Sequence, residues 1–257
     1  MMSMKYNVNI IPAGIAALVM AAAVGYNECK KEPEKKEEIA IQWGYFTIAP
    51  KEFTNIYDSS LKVERSLTLE ENCNGSLEIN HYASGILLRD SQTEENYILT
   101  AEHITANQTY GCKEEGSSKK YIKVKDGSIT VAGFSANVIK ESEEADLALL
   151  KIEGNIADAT PYRGKIAGEV NLGDVVIGTG YPDGERPYSI SCVIGITENT
   201  TILSFENKGG NSGGGFYRFT DQGLELIGTT RGGTTITTLG RLHELIKGTP
   251  LEDDYLQ

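Results

Sequence analysis

The sequence predicts an all-β fold: two small antiparallel β-barrels followed by one short helix. Three observations carry this. From residue 76 onward, short Val, Ile, Leu, Thr and Tyr runs alternate with Gly, Asn and Asp clusters, the pattern of short strands joined by turns. Of the 28 glycines only Gly14, Gly25 and Gly44 precede residue 70, so turn-forming residues concentrate where the runs are. Helical spacing occurs in this region only in 239–248, where Leu239, Leu242, Leu245 and Ile246 share one face and Gly248 closes the segment. No internal repeat is evident.

The chain opens on a leader. Residues 10–26 are almost wholly apolar and follow a single cation, Lys5. The run sits just below the roughly 20 residues that span a bilayer as a helix. Ala21-Ala22-Ala23 fits the small-residue cleavage pattern of a secretory signal; uncleaved, the same segment is a membrane anchor. A lipoprotein reading on Cys29 is opposed by the large and polar Tyr26-Asn27-Glu28 before it. Lys30, Lys31, Lys35 and Lys36 would weakly hold that side in the cytoplasm, but export is the favoured reading. Residues 1–29 are thus read as signal peptide or membrane anchor, 30–38 (KKEPEKKEE) as a charged tether, and 39–70 as an N-terminal extension packed outside the domain.

The strand runs follow in order: 85–88, 97–100, 121–124, 128–140, 147–152, 174–181, 189–197, 214–219, 224–230 and 234–238. Residues 155–170 hold few apolar side chains and separate two strand sets, one barrel over about 71–154 and another over about 171–238. With 40% apolar and 23% charged residues the chain can bury a core. Its formal charge of −12 argues against nucleic acid as a partner.

Polar residues at the ends of these runs suggest acyl-transfer chemistry, which needs a nucleophile, a base, an acid to orient the base, and backbone donors for an oxyanion. Of three histidines, His243 lies in the terminal helix and His81 in a polar stretch. His103 follows Tyr97-Ile98-Leu99-Thr100, where a strand gives way to a turn. Lys208-Gly209-Gly210-Asn211-Ser212-Gly213-Gly214-Gly215 surrounds one serine with glycines, letting the backbone turn sharply and aim consecutive N–H groups at one point. Asp146 directly precedes the apolar Leu147-Ala148-Leu149-Leu150, where a carboxylate at a barrel end can accept the Nδ1 proton of a histidine.

The blocks TAEH (100–103), DLALL (146–150) and GNSGGG (210–215) resemble the signature segments of trypsin-like serine peptidases of the chymotrypsin fold. The likeness spans about 75–240 and is closer to bacterial exported-protease and glutamyl-endopeptidase types, to which Asn211 and Gly180-Tyr181-Pro182 point. The resemblance implies a peptidase domain over 71–250 with a 251–257 tail. It also implies that His103 is the general base, Asp146 its orienting acid and Ser212 the nucleophile, with the N–H groups of Gly210 and Ser212 forming the oxyanion hole. It implies polypeptide substrates and neither metal nor cofactor. Two departures stand out. Gly215 occupies a position where the family usually has Pro or another closing residue, so added flexibility is expected there. No zymogen cleavage site followed by Ile-Val-Gly-Gly is present.

Primary specificity is ambiguous. Glu206, six residues before the serine, would as a pocket floor favour Lys or Arg; Arg231, on the segment resembling the pocket wall, would neutralise it or select an acidic side chain. Cys73 and Cys112 bracket the strands leading to His103, as a disulfide does in several relatives. Such a bridge needs an oxidising compartment, in keeping with export. Cys192 is expected to be buried, and the absence of CxxC pairs argues against zinc. Two alternatives stay open: a non-catalytic peptide-binding module on the same fold, and an esterase using Gly210-Asn211-Ser212-Gly213-Gly214 as a strand–turn–helix elbow with His243 as base.

Overall fold

The structure, a computed structural model, describes residues 50–69, 78–106, 110–112, 120–122, 124–181, 188–207, 209–221 and 223–256. The leader with Cys29, the tether and residues 39–49 of the extension lie outside them, as does Cys73. Among the described residues no helix is long and apolar enough to cross a membrane.

The first barrel is closed by β1 (Ser60–Leu69), β2 (Glu78–Arg89), β3 (Asn96–Thr100), β8 (Leu147–Ile152), β7 (Phe134–Ser142) and β6 (Val124–Val131), in that order. β4 (Tyr110–Cys112) and β5 (Lys120–Ile122) form a separate two-stranded ribbon between β3 and β6. The 39–70 segment is therefore not wholly an outer extension. It holds helix α1 (Pro50–Asp58) and then β1, whose alternating Leu61, Val63 and Leu67 are buried and whose two edges pair with β2 and β6. The run 128–140 is two strands, folded at Ala132–Gly133, where both φ values are positive (50° and 84°) and Val131 pairs with Phe134. That is the hairpin turn whose twist matches the flanking strands.

The second barrel runs β12 (Thr200–Asn207), β11 (Tyr188–Ile196), β10 (Val175–Thr179), β13 (Gly215–Thr220), β14 (Gly223–Thr237), with β12 also pairing to β14 and so joining the two ends. A two-residue strand, β9 (Lys165–Ile166), adds to β14 in parallel. β12 is missing from the strand runs expected above. The two runs expected at 224–230 and 234–238 are one strand. Gly232 and Gly233 (φ 147° and 53°) do not end it but bend it, so that its first part pairs with β13 and its last part with β12.

Strands β2, β3 and β8 bury both faces. Ala83, Leu87, Ile98, Ala148 and Leu150 point into the first barrel. Ile86, Leu88, Leu99, Leu147 and Leu149 join a larger core shared with Ile177, Phe216 and Tyr217 of the second. This explains why their sequences are continuous apolar runs rather than alternating ones. The helix expected at the end is α3 (Leu239–Ile246), with Leu239, Leu242, Leu245 and Ile246 buried as its spacing requires, and Gly248 beyond it at φ 74°. A last short helix, α4 (Glu252–Tyr255), places the Tyr255 hydroxyl where it donates to the Tyr162 carbonyl at 3.0 Å. Tyr162 in turn donates its N–H to Leu87 of the first barrel and its hydroxyl to Lys165 and Leu224 of the second. Burial pushes the Tyr255 hydroxyl up to about 12, so this seam stays protonated and donating at neutral pH.

Candidate active site

β3 and β8 lie side by side, antiparallel, with Thr100 opposite Ala148. The residues leaving the end of β3 and entering the start of β8 therefore meet at one rim of the first barrel. His103 sits three residues beyond Thr100, on the one-turn helix α2 (Glu102–Thr105); Asp146 sits two before Ala148. His103 Nδ1 lies 2.8 and 2.9 Å from the two carboxylate oxygens of Asp146, and the His103 backbone N–H donates to Oδ1 at 3.0 Å. A carboxylate acceptor at Nδ1 fixes the proton there and leaves Nε2 with its lone pair. The Asp146 side chain is only 12% exposed while that of His103 is 35% exposed. The carboxylate is buried behind an imidazole that reaches solvent.

The Asp146 turn is held in an uncommon conformation, φ 53°, which Asp tolerates better than most residues. Its N–H donates to Glu143 at 3.1 Å. The second barrel braces the same turn. Arg231 donates to the carbonyls of Glu144 (3.2 Å) and Asn199 (3.1 Å), and Arg241 pairs with the carboxylates of Glu144 and Glu244. The Arg231 guanidinium is thus engaged by backbone carbonyls. Glu206 is in β12, and its side chain lies outside the described residues. Beside His103, burial first and then the charges of Asp146, Glu141 and Glu143 hold the Glu102 carboxyl above the usual Glu range.

Ser212 heads the loop between β12 and β13. Gly210 and Gly213 have φ of 87° and 80°, which only glycine adopts readily. The Ser212 carbonyl accepts the N–H of Ser84 at 2.8 Å, and Gly213 donates to Thr230 at 2.8 Å. A side chain on Gly213 would stand 2.7 Å from the backbone nitrogen of Ala101, two residues before His103. The serine loop therefore packs directly against the root of the histidine turn. Gly215 brings no looseness, contrary to expectation. It is a buried strand residue paired with Thr229, and the Tyr217 ring fills the place its side chain would take (Cζ at 2.5 Å). The esterase elbow is excluded as well. The serine loop joins strands β12 and β13 with no helix after it, and His243 Nε2 lies 2.9 Å from the Ala167 carbonyl, where it donates.

The family model of the trypsin-like peptidase domain matches residues 83–228. The chain belongs to the trypsin-like peptidases. No curated protein matches it. Among solved structures, this trypsin-like chain superposes on Deg5 with a TM-score of 0.51 at 16% identity, covering 76% of this chain and 90% of that one. A second match is the inactive form of a serine-to-alanine mutant of Rv3671c from M. tuberculosis, with a TM-score of 0.49 and 18% identity over 79% of this chain and 96% of that one. At such identity the Deg5 match speaks for the fold alone, and it agrees with the two-barrel description.

Two site-supporting residues of this trypsin-like domain escaped the sequence reading. Arg65 of β1, 4% exposed, donates Nη1 to the carbonyls of Ile104 and Ala106 and so holds the end of the histidine turn. Ser84 of β2, fully buried, touches the serine loop. The only hint in sequence was a polar residue on the apolar face of each of two strands, Arg65 in step with Leu61, Val63 and Leu67, and Ser84 in step with Ile86 and Leu88. Cys192 is 2% exposed and disulfide-bonded; its partner lies outside the described residues, as do the Cys73 and Cys112 side chains.

Proposed function

We propose that this trypsin-like peptidase is a serine endopeptidase that cleaves polypeptides through an acyl-enzyme. The observation that carries the reading is the pairing of His103 Nδ1 with both oxygens of Asp146 beside the loop bearing Ser212. In the first step His103 Nε2 takes the Ser212 Oγ proton as Oγ attacks the scissile carbonyl. Asp146 balances the imidazolium, and the N–H groups of Gly210 and Ser212 receive the oxyanion. His103 then gives its proton to the leaving amine. A water deprotonated by the same Nε2 releases the acid and restores the serine. The chemistry uses neither metal nor cofactor.

The reading extends to place. The disulfide at Cys192 suits an oxidising compartment, and the apolar run 10–26 suits export or a membrane tether. We place the domain outside the cytoplasm, with a Cys73–Cys112 bridge beside the histidine segment. Primary specificity is assigned to the pocket wall carrying Arg231 and the strand carrying Glu206. Hydrolysis of a quenched-fluorescent peptide library tests the activity: turnover lost in Ser212→Ala and His103→Ala supports it. Peptides that bind the folded wild-type protein but are never cut would instead make it a peptide-binding module.

A further inference from the structure

We propose that Ser84 is a positioning residue for catalysis, the tether that holds the oxyanion-hole backbone in its working shape; this rests on the serine-peptidase reading above. Ser84 belongs to the first barrel, yet its hydroxyl is spent entirely on the second. Oγ donates to the Gly210 carbonyl at 2.8 Å and accepts the Tyr181 N–H at 2.7 Å. Its own N–H donates to the Ser212 carbonyl at 2.8 Å, and its carbonyl accepts the Thr100 hydroxyl at 2.7 Å on the strand that leads to His103. One buried residue therefore ties four points together: both residues whose N–H groups face the oxyanion, the end of β10, and the histidine strand.

The loop needs such a tether because it has few side chains of its own. Gly209 has open space around the position of a Cβ, and Gly210 sits at φ 87°. A Gly-Gly pair is free to rotate the peptide that presents the first oxyanion donor. The bonds at the Gly210 and Ser212 carbonyls anchor the two residues that carry those donors. The seam is also closed to a larger neighbour. A side chain on Gly180 would meet the Asn211 Oδ1 at 2.5 Å and the Ser84 Oγ at 2.8 Å.

The test is the saturation kinetics of covalent labelling by a fluorophosphonate probe. It compares the wild-type full chain, Ser84→Ala, Ser84→Cys and the control Ser59→Ala. Ser59 is an equally buried serine whose hydroxyl bonds the Ile56 carbonyl and the Tyr217 side chain rather than the Gly210–Ser212 segment. Loss of one direct oxyanion donor costs about 10²–10³-fold, so loss of its tether should cost roughly 10- to 100-fold in the maximal labelling rate. The half-saturating probe concentration should stay within roughly threefold, because the defect lies in transition-state support rather than in binding. Ser84→Cys, close in size and a weak donor, should fall between serine and alanine, and it carries the test where the alanine variant does not fold. Ser59→Ala should lower the melting temperature and leave the labelling rate unchanged. A folded Ser84→Ala or Ser84→Cys protein labelling at the wild-type rate overturns the proposal, as does an equal loss in Ser59→Ala. A wild-type protein that never labels overturns the peptidase reading beneath it.

Discussion

Gly213→Ala tests the packing of the serine loop on the histidine turn. Gly213 has φ 80°, and placing a Cβ-bearing residue in that region costs about 1–2 kcal/mol. The added methyl would stand 2.5 Å from the Thr100 hydroxyl and 2.7 Å from the Ala101 nitrogen, and would also collide with the Ser84 carbonyl. All three belong to β2 and β3 or the residue just beyond, which are buried on both faces and cannot yield cheaply. Restoring ordinary contact at roughly 3.4 Å with all three requires the loop to withdraw by about 1 Å, and overpacking of this kind adds about 1–3 kcal/mol. The expected loss of stability is therefore about 2–5 kcal/mol, a fall in melting temperature of roughly 4–20 °C for a domain of this size. A displacement of about 1 Å between reacting groups costs on the order of 10²-fold in rate. Scanning calorimetry and fluorophosphonate labelling rates, measured well below the variant's melting temperature, read the two effects separately. A Gly213→Ala protein with wild-type stability and wild-type labelling would refute the packing described for this loop.

Other outcomes follow from the same geometry. Asp146→Asn should keep the fold but present an amide donor to His103 Nδ1, favouring the wrong tautomer; peptide hydrolysis should fall by about 10⁴-fold, the scale of this exchange in a serine-peptidase triad. Glu102 has a carboxyl held above its ordinary range by burial and neighbouring carboxylates, so its ionisation opposes folding. That cost is absent below the ordinary Glu range and is incurred as pH rises through the raised value. Glu102→Gln should accordingly match the wild type in urea unfolding near pH 4 and exceed it at pH 7, whereas a pH-independent difference would contradict the assignment. Non-reducing peptide mapping should find Cys192 in a disulfide; a separate Cys73–Cys112 linkage supports the proposed bridge, and Cys192 linked to Cys73 or Cys112 contradicts it.

What the sequence made legible was set by burial and by turn chemistry. The apolar runs at 97–100 and 147–150 mark strands buried on both faces, and the polar residues at their ends, His103 and Asp146, meet because those strands are neighbours. The apolar face of 239–246 made the last helix equally plain. Strand β12, with its polar Thr200, Thr201 and Ser204, carried too weak a pattern. β1 was overlooked because charged and polar residues alternate with its buried leucines and valine. Gly232 and Gly233 separate two apolar runs in the sequence, yet they let one strand change partners as the second barrel closes. Arg65 and Ser84 could not be singled out from one sequence, since their importance lies in carbonyls 39 and 126 residues away.

The most direct test of the central claim is where a fluorophosphonate attaches. Intact mass should show one adduct per chain on a soluble protein spanning residues 37–257, and peptide mapping should place it on Ser212. Labelling should vanish in Ser212→Ala and nearly vanish in His103→Ala, as the scale of about 10⁶-fold seen for single triad losses in a related serine protease requires. A folded wild-type domain that takes no adduct, or takes it on another residue, would contradict the assignment of Ser212 as nucleophile.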